Sequence, residues 1–118
     1  MAKHNETGAK GEGLAAAYLE GKGYRIVYRN WRSKRIEVDI IAEKEGKYFF
    51  VEVKTRRGEG YGWPEEAVND KKKKDLIIAA NAYVELHPEV YTVQFDIISI
   101  TLTGDTVTEL LHLEDAFY

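Results

Sequence analysis

The sequence predicts an α/β domain, a mixed five-stranded sheet flanked by helices, with elements in the order α-β-β-β-α-β-β. Three observations predict it. Apolar residues recur at helical spacing in segments 7–22 and 70–87. Between and after them, short runs rich in aromatic and β-branched residues have the pattern of strands. Gly, Asn and Pro punctuate the joints. With 118 residues, no internal repeat and no linker, the chain reads as one domain, 1–118.

The first helix, 7–22, rests on the stripe Leu14, Ala15, Tyr18 and Leu19, with Gly21 and Gly23 as stop signals. Gly11 and Gly13 weaken its first turns. Strands follow over 24–30 and 35–43. A glycine-containing turn of hairpin length leads into a third strand, KYFFVEVKT. Residues 56–64, RRGEGYGWP, read as a loop. Asn69 is suited to cap the second helix, whose apolar face is Leu76, Ile77, Ala80, Tyr83 and Val84; Pro88 lies just past its end. Strands over 90–100 and 106–113, joined by Thr-Gly-Asp, complete the sheet.

Composition narrows the function. There is no cysteine, which excludes disulfides and thiolate metal sites, and His4, His87 and His112 lack zinc-site spacing. The N-terminus has no apolar signal-peptide core, and no apolar run approaches the roughly 20 residues that span a bilayer. The expectation is a soluble cytoplasmic protein without a membrane partner. The net charge of −3 conceals a polarity: residues 22–74 hold 15 Lys/Arg against 9 Asp/Glu, and residues 75–118 hold 8 Asp/Glu and no Lys or Arg. A polyanion responds to the local patch more than to the total.

The chemistry centres on the second and third strands. Alternation puts Phe50, Glu52 and Lys54 on one face of the third strand. It puts Glu37 and Asp39 on one face of the second, opposite Ile36, Val38 and Ile40. A tight hairpin can then bring Asp39 near Glu52. Two carboxylates about 4 Å apart repel by roughly 4 kcal/mol at an effective dielectric near 20, so a cation or a proton must join them. Lys54 offers one charge; a hard divalent cation such as Mg²⁺ or Mn²⁺ offers another and suits phosphodiester chemistry. A solvated sheet face carrying a simple salt bridge would be written in the same letters.

An acid on one strand followed by Glu-x-Lys on the next, here Asp39 and Glu52-Val53-Lys54, resembles the PD-(D/E)xK nuclease motif. The wider series GEGLAAAYLEGKGY, YRNWR, EVDIIA, FFVEVKTR and QFDII resembles the YraN-like uncharacterised protein family over nearly the whole chain. That family is taken to be similar to Holliday-junction resolvases and to have the restriction-endonuclease-like fold. The resemblance implies a metal-dependent endonuclease acting on DNA, with branched or flapped structures as substrates, and a homodimer. It implies Asp39, Glu52 and Lys54 as catalytic residues and Glu12, Asp39 and Glu52 as ligands of Mg²⁺ or Mn²⁺. The Val53 carbonyl is a further oxygen donor. Ile36 stands where the family has glycine before Glu37, and Gln94 where arginine is common.

For DNA, Arg56 and Arg57 supply phosphate-binding charge, and Tyr61 and Trp63 supply stacking surfaces. In the KKKK run at 71–74, positive charge opposes the helix dipole, and Lys72 best matches the family's helix lysine. Asp96 reads as structural. The alternative to an enzyme is a catalytically weak DNA-binding or partner-docking module on the same fold.

Overall fold

The computed structural model describes residues 6–58 and 69–117, with the side chains of residues 6 and 7 left aside. Tyr61 and Trp63 lie outside the described residues. The order is α1 (Glu6–Gly21), β1 (Arg25–Ser33), β2 (Ile36–Lys44), β3 (Lys47–Arg57), α2 (Asp70–Leu86), β4 (Thr92–Thr103) and β5 (Thr106–Leu113). This is the predicted succession. The sheet runs β1-β2-β3-β4-β5, and all neighbours are antiparallel except β3 and β4. That one parallel pair needs a long crossover, within which α2 lies.

The two faces of the sheet carry separate cores. Ala15, Ala16 and Leu19 of α1 pack on Ile40, Ala42, Phe49, Val51, Ile98, Ile100 and Leu102. On the other side Leu76, Ala79, Ala80 and Tyr83 of α2 pack on Val38, Ile41, Phe50 and Phe95. The result is a helix–sheet–helix sandwich, which explains why the central strands are apolar on both faces. Tyr83 anchors the second core, with Trp31 and Phe50 edge-on against it at centroid distances of 5.2 and 5.6 Å.

Local chemistry fixes the joints. Asn69 caps α2, its Oδ1 accepting from the Lys72 backbone N–H at 2.9 Å. The β2–β3 turn places Glu45 and Gly46 at φ 53° and 85°, the left-handed pair that matches hairpin twist.

Three strands, β1, β3 and β4, run two or three residues past their predicted ends. β1 continues through Asn30-Trp31-Arg32 because Asn30 adopts φ 56° without ending the pairing, and Trp31 then meets the α2 core. β3 continues through Arg56 and Arg57, which pair with Thr101 and Leu102 of a longer β4. Both arginines are therefore strand residues, where the sequence suggested a loop.

Candidate active site where β2 and β3 part

Backbone pairing of β2 with β3 runs from Lys44↔Lys47 to Ile40↔Val51 and goes no further toward Asp39. There the Asp39 side chain replaces the ladder: its Oδ2 accepts from the Val53 backbone N–H at 2.8 Å. Strict alternation also fails at this point. Val38 and Ile41 belong to the α2-side core, whereas Ile40, two residues from Val38, belongs to the α1-side core. The expected sharing of one face by Ile36, Val38 and Ile40 is thus corrected. A local irregularity at Asp39 switches the strand's faces, as bulged strands do at functional sites.

Glu52 follows directly after Val51, the last residue of β3 that pairs with β2, and the two acids converge. The two carboxyls are neighbours, each bearing on the other's titration. Burial, and then the charge of Glu52, push the Asp39 carboxyl up to about 8, against the opposing pull of the Val53 N–H. Burial also raises Glu52, outweighing the lowering influence of Lys72 and Lys54. Glu52 Oε1 is buried with no hydrogen-bond partner. Lys72 Nζ stands 3.6 Å from it, an ion-pair distance too long for a good hydrogen bond.

The α1 helix reaches this place through a glycine. A Cβ on Gly11 would lie 1.7 Å from Thr55 Oγ1, so only glycine lets the helix press this closely onto β3. The next residue is Glu12, whose charge contributes to the raised pKa of Asp39. With its amide nitrogen turned toward the acids, Asn30 donates to Glu12 Oε1 at 3.0 Å and to Glu37 Oε2 at 3.2 Å. Glu37 also lies 3.9 Å from Arg32.

The proposed residues thus divide. Asp39, Glu52 and Lys72 meet; Lys54, exposed and two residues beyond Glu52, acts on it by charge. Glu12 is adjacent and tied to Asn30. Among the described residues, no three His, Asp or Glu side chains form a closed group able to hold a metal ion. Arg57 donates to the Gly104 carbonyl. The Val53 backbone is held through its N–H rather than singled out by its carbonyl. Lys72, assigned from the sequence to DNA, also turns toward Glu52. Sequence reasoning missed Asn30; an asparagine inside a strand, tolerant of positive φ, was the available signal.

The donor set fits a hard divalent cation. Two largely buried carboxyls of raised pKa, one with an oxygen that lacks a hydrogen bond, have only Lys72 and Lys54 to oppose the cost of their burial, and a divalent cation would let both ionise. Magnesium characteristically accepts one or two carboxylates and keeps waters for the rest, so a closed protein cage is unnecessary.

A mixed α/β sandwich with paired buried acids at a splayed hairpin defines the class. Similarity to known proteins defines the family: residues 11–100 match the Uncharacterised protein family UPF0102. The chain is 46% identical over 119 residues to a UPF0102 protein of Phocaeicola vulgatus, covering 100% of this chain and 97% of that one. It is similarly 45% identical over 122 residues to one of Flavobacterium johnsoniae, covering 100% and 98%. A relative from Bacteroides thetaiotaomicron is 46% identical over 119 residues, covering 100% and 97%. The chain belongs to the UPF0102 family, the YraN-like family.

Proposed function

We propose that the protein is a metal-dependent endonuclease that hydrolyses phosphodiesters in DNA, with branched or flapped structures as its substrates. The observation that carries this reading is the buried Glu52 Oε1, without a hydrogen-bond partner and with only a long ion pair to Lys72, beside an Asp39 carboxyl of raised pKa. Such pairs are costly to the fold and cluster at functional sites.

Asp39 and Glu52 would hold Mg²⁺ or Mn²⁺, with Glu12 adding negative charge from α1. When bound, the ion supplies Lewis-acid stabilisation of charge on the phosphoryl oxygens. The chain's own groups do the rest. Hydrolysis joins a water oxygen to phosphorus, breaks one P–O ester bond and returns a proton to the leaving oxygen. The Lys54 ammonium, at the open end of β3, orients the water or meets charge growing in the transition state. The Val53 N–H fixes the Asp39 carboxyl, so this ligand is already oriented before substrate arrives. Resolving a four-way junction needs two symmetric cuts, and hence two copies of the site in a homodimer. A cytoplasmic location goes with this reading.

The test is cleavage of labelled junction, flap and single-stranded DNA with Mg²⁺ or Mn²⁺. Asp39→Asn and Lys54→Ala should abolish cutting and leave binding largely intact. One observation favours the alternative of a catalytically silent DNA-binding module: the lack of a closed three-acid group among the described residues. Salt-sensitive binding with no cutting on any substrate would select it.

A further inference from the structure

The charge polarity of the sequence becomes a polarity of the sheet's two edges. Segment 24–36, which spans β1 and enters the β1–β2 turn, carries Arg25, Arg29, Arg32, Lys34 and Arg35 and no acid. At the opposite edge, 105–115 carries Asp105, Glu109, Glu114 and Asp115 and no Lys or Arg. All five cations of the first segment are exposed. Two have acidic neighbours, Arg25 at 3.1 Å from Glu43 and Arg32 at 3.9 Å from Glu37, yet their side chains are 62% and 64% exposed.

This basic edge is continuous with the candidate site. Asn30, in the middle of β1, bridges Glu12 and Glu37. The Arg29 guanidinium reaches α1, 4.0 Å from where a side chain on Gly13 would begin, one residue past Glu12. A strand rises about 3.3 Å per residue, so Arg29 and Arg35 are separated by up to roughly 20 Å along the edge and turn. That is several times the interval of about 1.7 Å per phosphate charge along a duplex axis. The surface therefore suits an extended polyanion better than a small anion.

The rings of β1 distinguish the kind of polyanion. Single-strand binders present aromatic faces on which bases stack. Here Trp31 and Tyr28 are set edge-on to Tyr83, at 5.2 and 6.4 Å, and Trp31 packs against the α2 core. Apart from Tyr28, which is 45% exposed, what β1 and its turn offer to solvent is mainly guanidinium and ammonium groups.

We propose that the β1 edge and the β1–β2 turn are the docking surface for the phosphate backbone of duplex DNA, with Arg29, Lys34 and Arg35 as direct contacts. This rests on the nuclease reading for the choice of DNA, and it assigns the recognition to residues outside the acid cluster. The acidic β5 edge repels the same polyanion and so orients it.

The experiment is fluorescence anisotropy with a labelled duplex across a salt series, with chelator present so that cutting cannot intervene. Removing one phosphate-binding side chain lowers the slope of log affinity against log salt by about 0.9. Arg29→Ala/Arg35→Ala should therefore reduce the slope by about 1.8 and weaken binding roughly ten-fold at moderate salt. Thr106→Glu/Val107→Glu makes the same net charge change at the β5 edge and should leave the slope unchanged. A slope unaltered in the arginine variant, or lowered equally in the β5 variant, overturns the assignment. So does a single strand bound as tightly as the duplex through the same arginines. Cleavage by the wild-type protein is scored separately. The expected slopes without cutting on any substrate keep the surface and discard the nuclease; cutting with unaltered slopes does the reverse.

Discussion

Two buried carboxylate sites lie in this one small sheet, and their surroundings are opposite. Asp96 on β4 is fully buried, and both of its oxygens are bonded. Gln94 Nε2 and the Asp115 backbone N–H donate to Oδ1, each at 2.9 Å, and His112 Nε2 is 2.7 Å from Oδ2. His112 Nδ1 in turn meets the Tyr18 hydroxyl of α1 at 3.0 Å. The network ties α1, β4, β5 and the segment after β5 together. Asp39 and Glu52 instead face each other, with an orphaned oxygen and a half-exposed lysine at 3.6 Å. A satisfied buried acid holds a fold, whereas an unsatisfied one is retained at a cost in stability and so points to a ligand.

The contrast breaks most simply by neutralisation. Asp96→Asn should destabilise the fold by about 3 kcal/mol, because it disrupts a buried hydrogen-bonded pair and strands His112. Asp39→Asn should leave the metal-free fold as stable or make it more so, since it removes a poorly compensated buried acid. Urea midpoints of the two variants decide; equal losses would erase the distinction. Next in size is the response to metal. Mn²⁺ at about a hundred times its dissociation constant should stabilise the wild-type fold by roughly 2.7 kcal/mol. It should leave an Asp39→Asn/Glu52→Gln variant unmoved, while Asp96→Asn keeps the full increment above its lower baseline.

What the sequence conveyed follows the same division. The α-β-β-β-α-β-β order was legible because each element has a periodicity of its own, and the Asn69 cap because its side chain acts locally. Convergence of Asp39 with Glu52 was legible because a short hairpin limits where two strands can go. The face switch at Asp39 was not: it arises when one carboxylate takes a backbone donor from the ladder, which no alternation rule encodes. Gly11 looked like a helix defect until Thr55 was set against it, and that contact joins distant segments. Lys72 read as a DNA contact from the sequence, because only the packing of α2 turns it toward Glu52.

The pH dependence sharpens the comparison further. Asp39 titrates near its ordinary value, about 3.8, in the unfolded chain and near 8 in the fold. Between those values the folded state holds a proton that the unfolded state has released. Stability from this group is therefore complete below about pH 4 and is lost as pH rises through 8. The slope approaches about 1.4 kcal/mol per pH unit for one proton. Metal-free unfolding at a series of pH values should show this decline in the wild type, and Asp39→Asn should flatten it. Apparent Mn²⁺ affinity should rise over the same interval, as the carboxyls surrender their protons.

The smallest expected effect concerns Lys72, the cation that partly compensates the acid pair. Its charge lowers both Asp39 and Glu52, so Lys72→Ala should move their titration upward and extend the declining limb of the stability curve to higher pH. The stability change itself should stay under about 1 kcal/mol, because the lysine is 35% exposed and its ion pair is long. A divalent ion entering between the acids competes with the same ammonium. Removing that ammonium at a pH well above 8, where Asp39 is ionised with or without it, should tighten Mn²⁺ binding. Near pH 6 the extra protonation should offset the gain. An Mn²⁺ affinity that responds to Lys72→Ala identically at both pH values would separate the lysine from the acid pair and leave Lys72 free for the DNA contact that the sequence suggested.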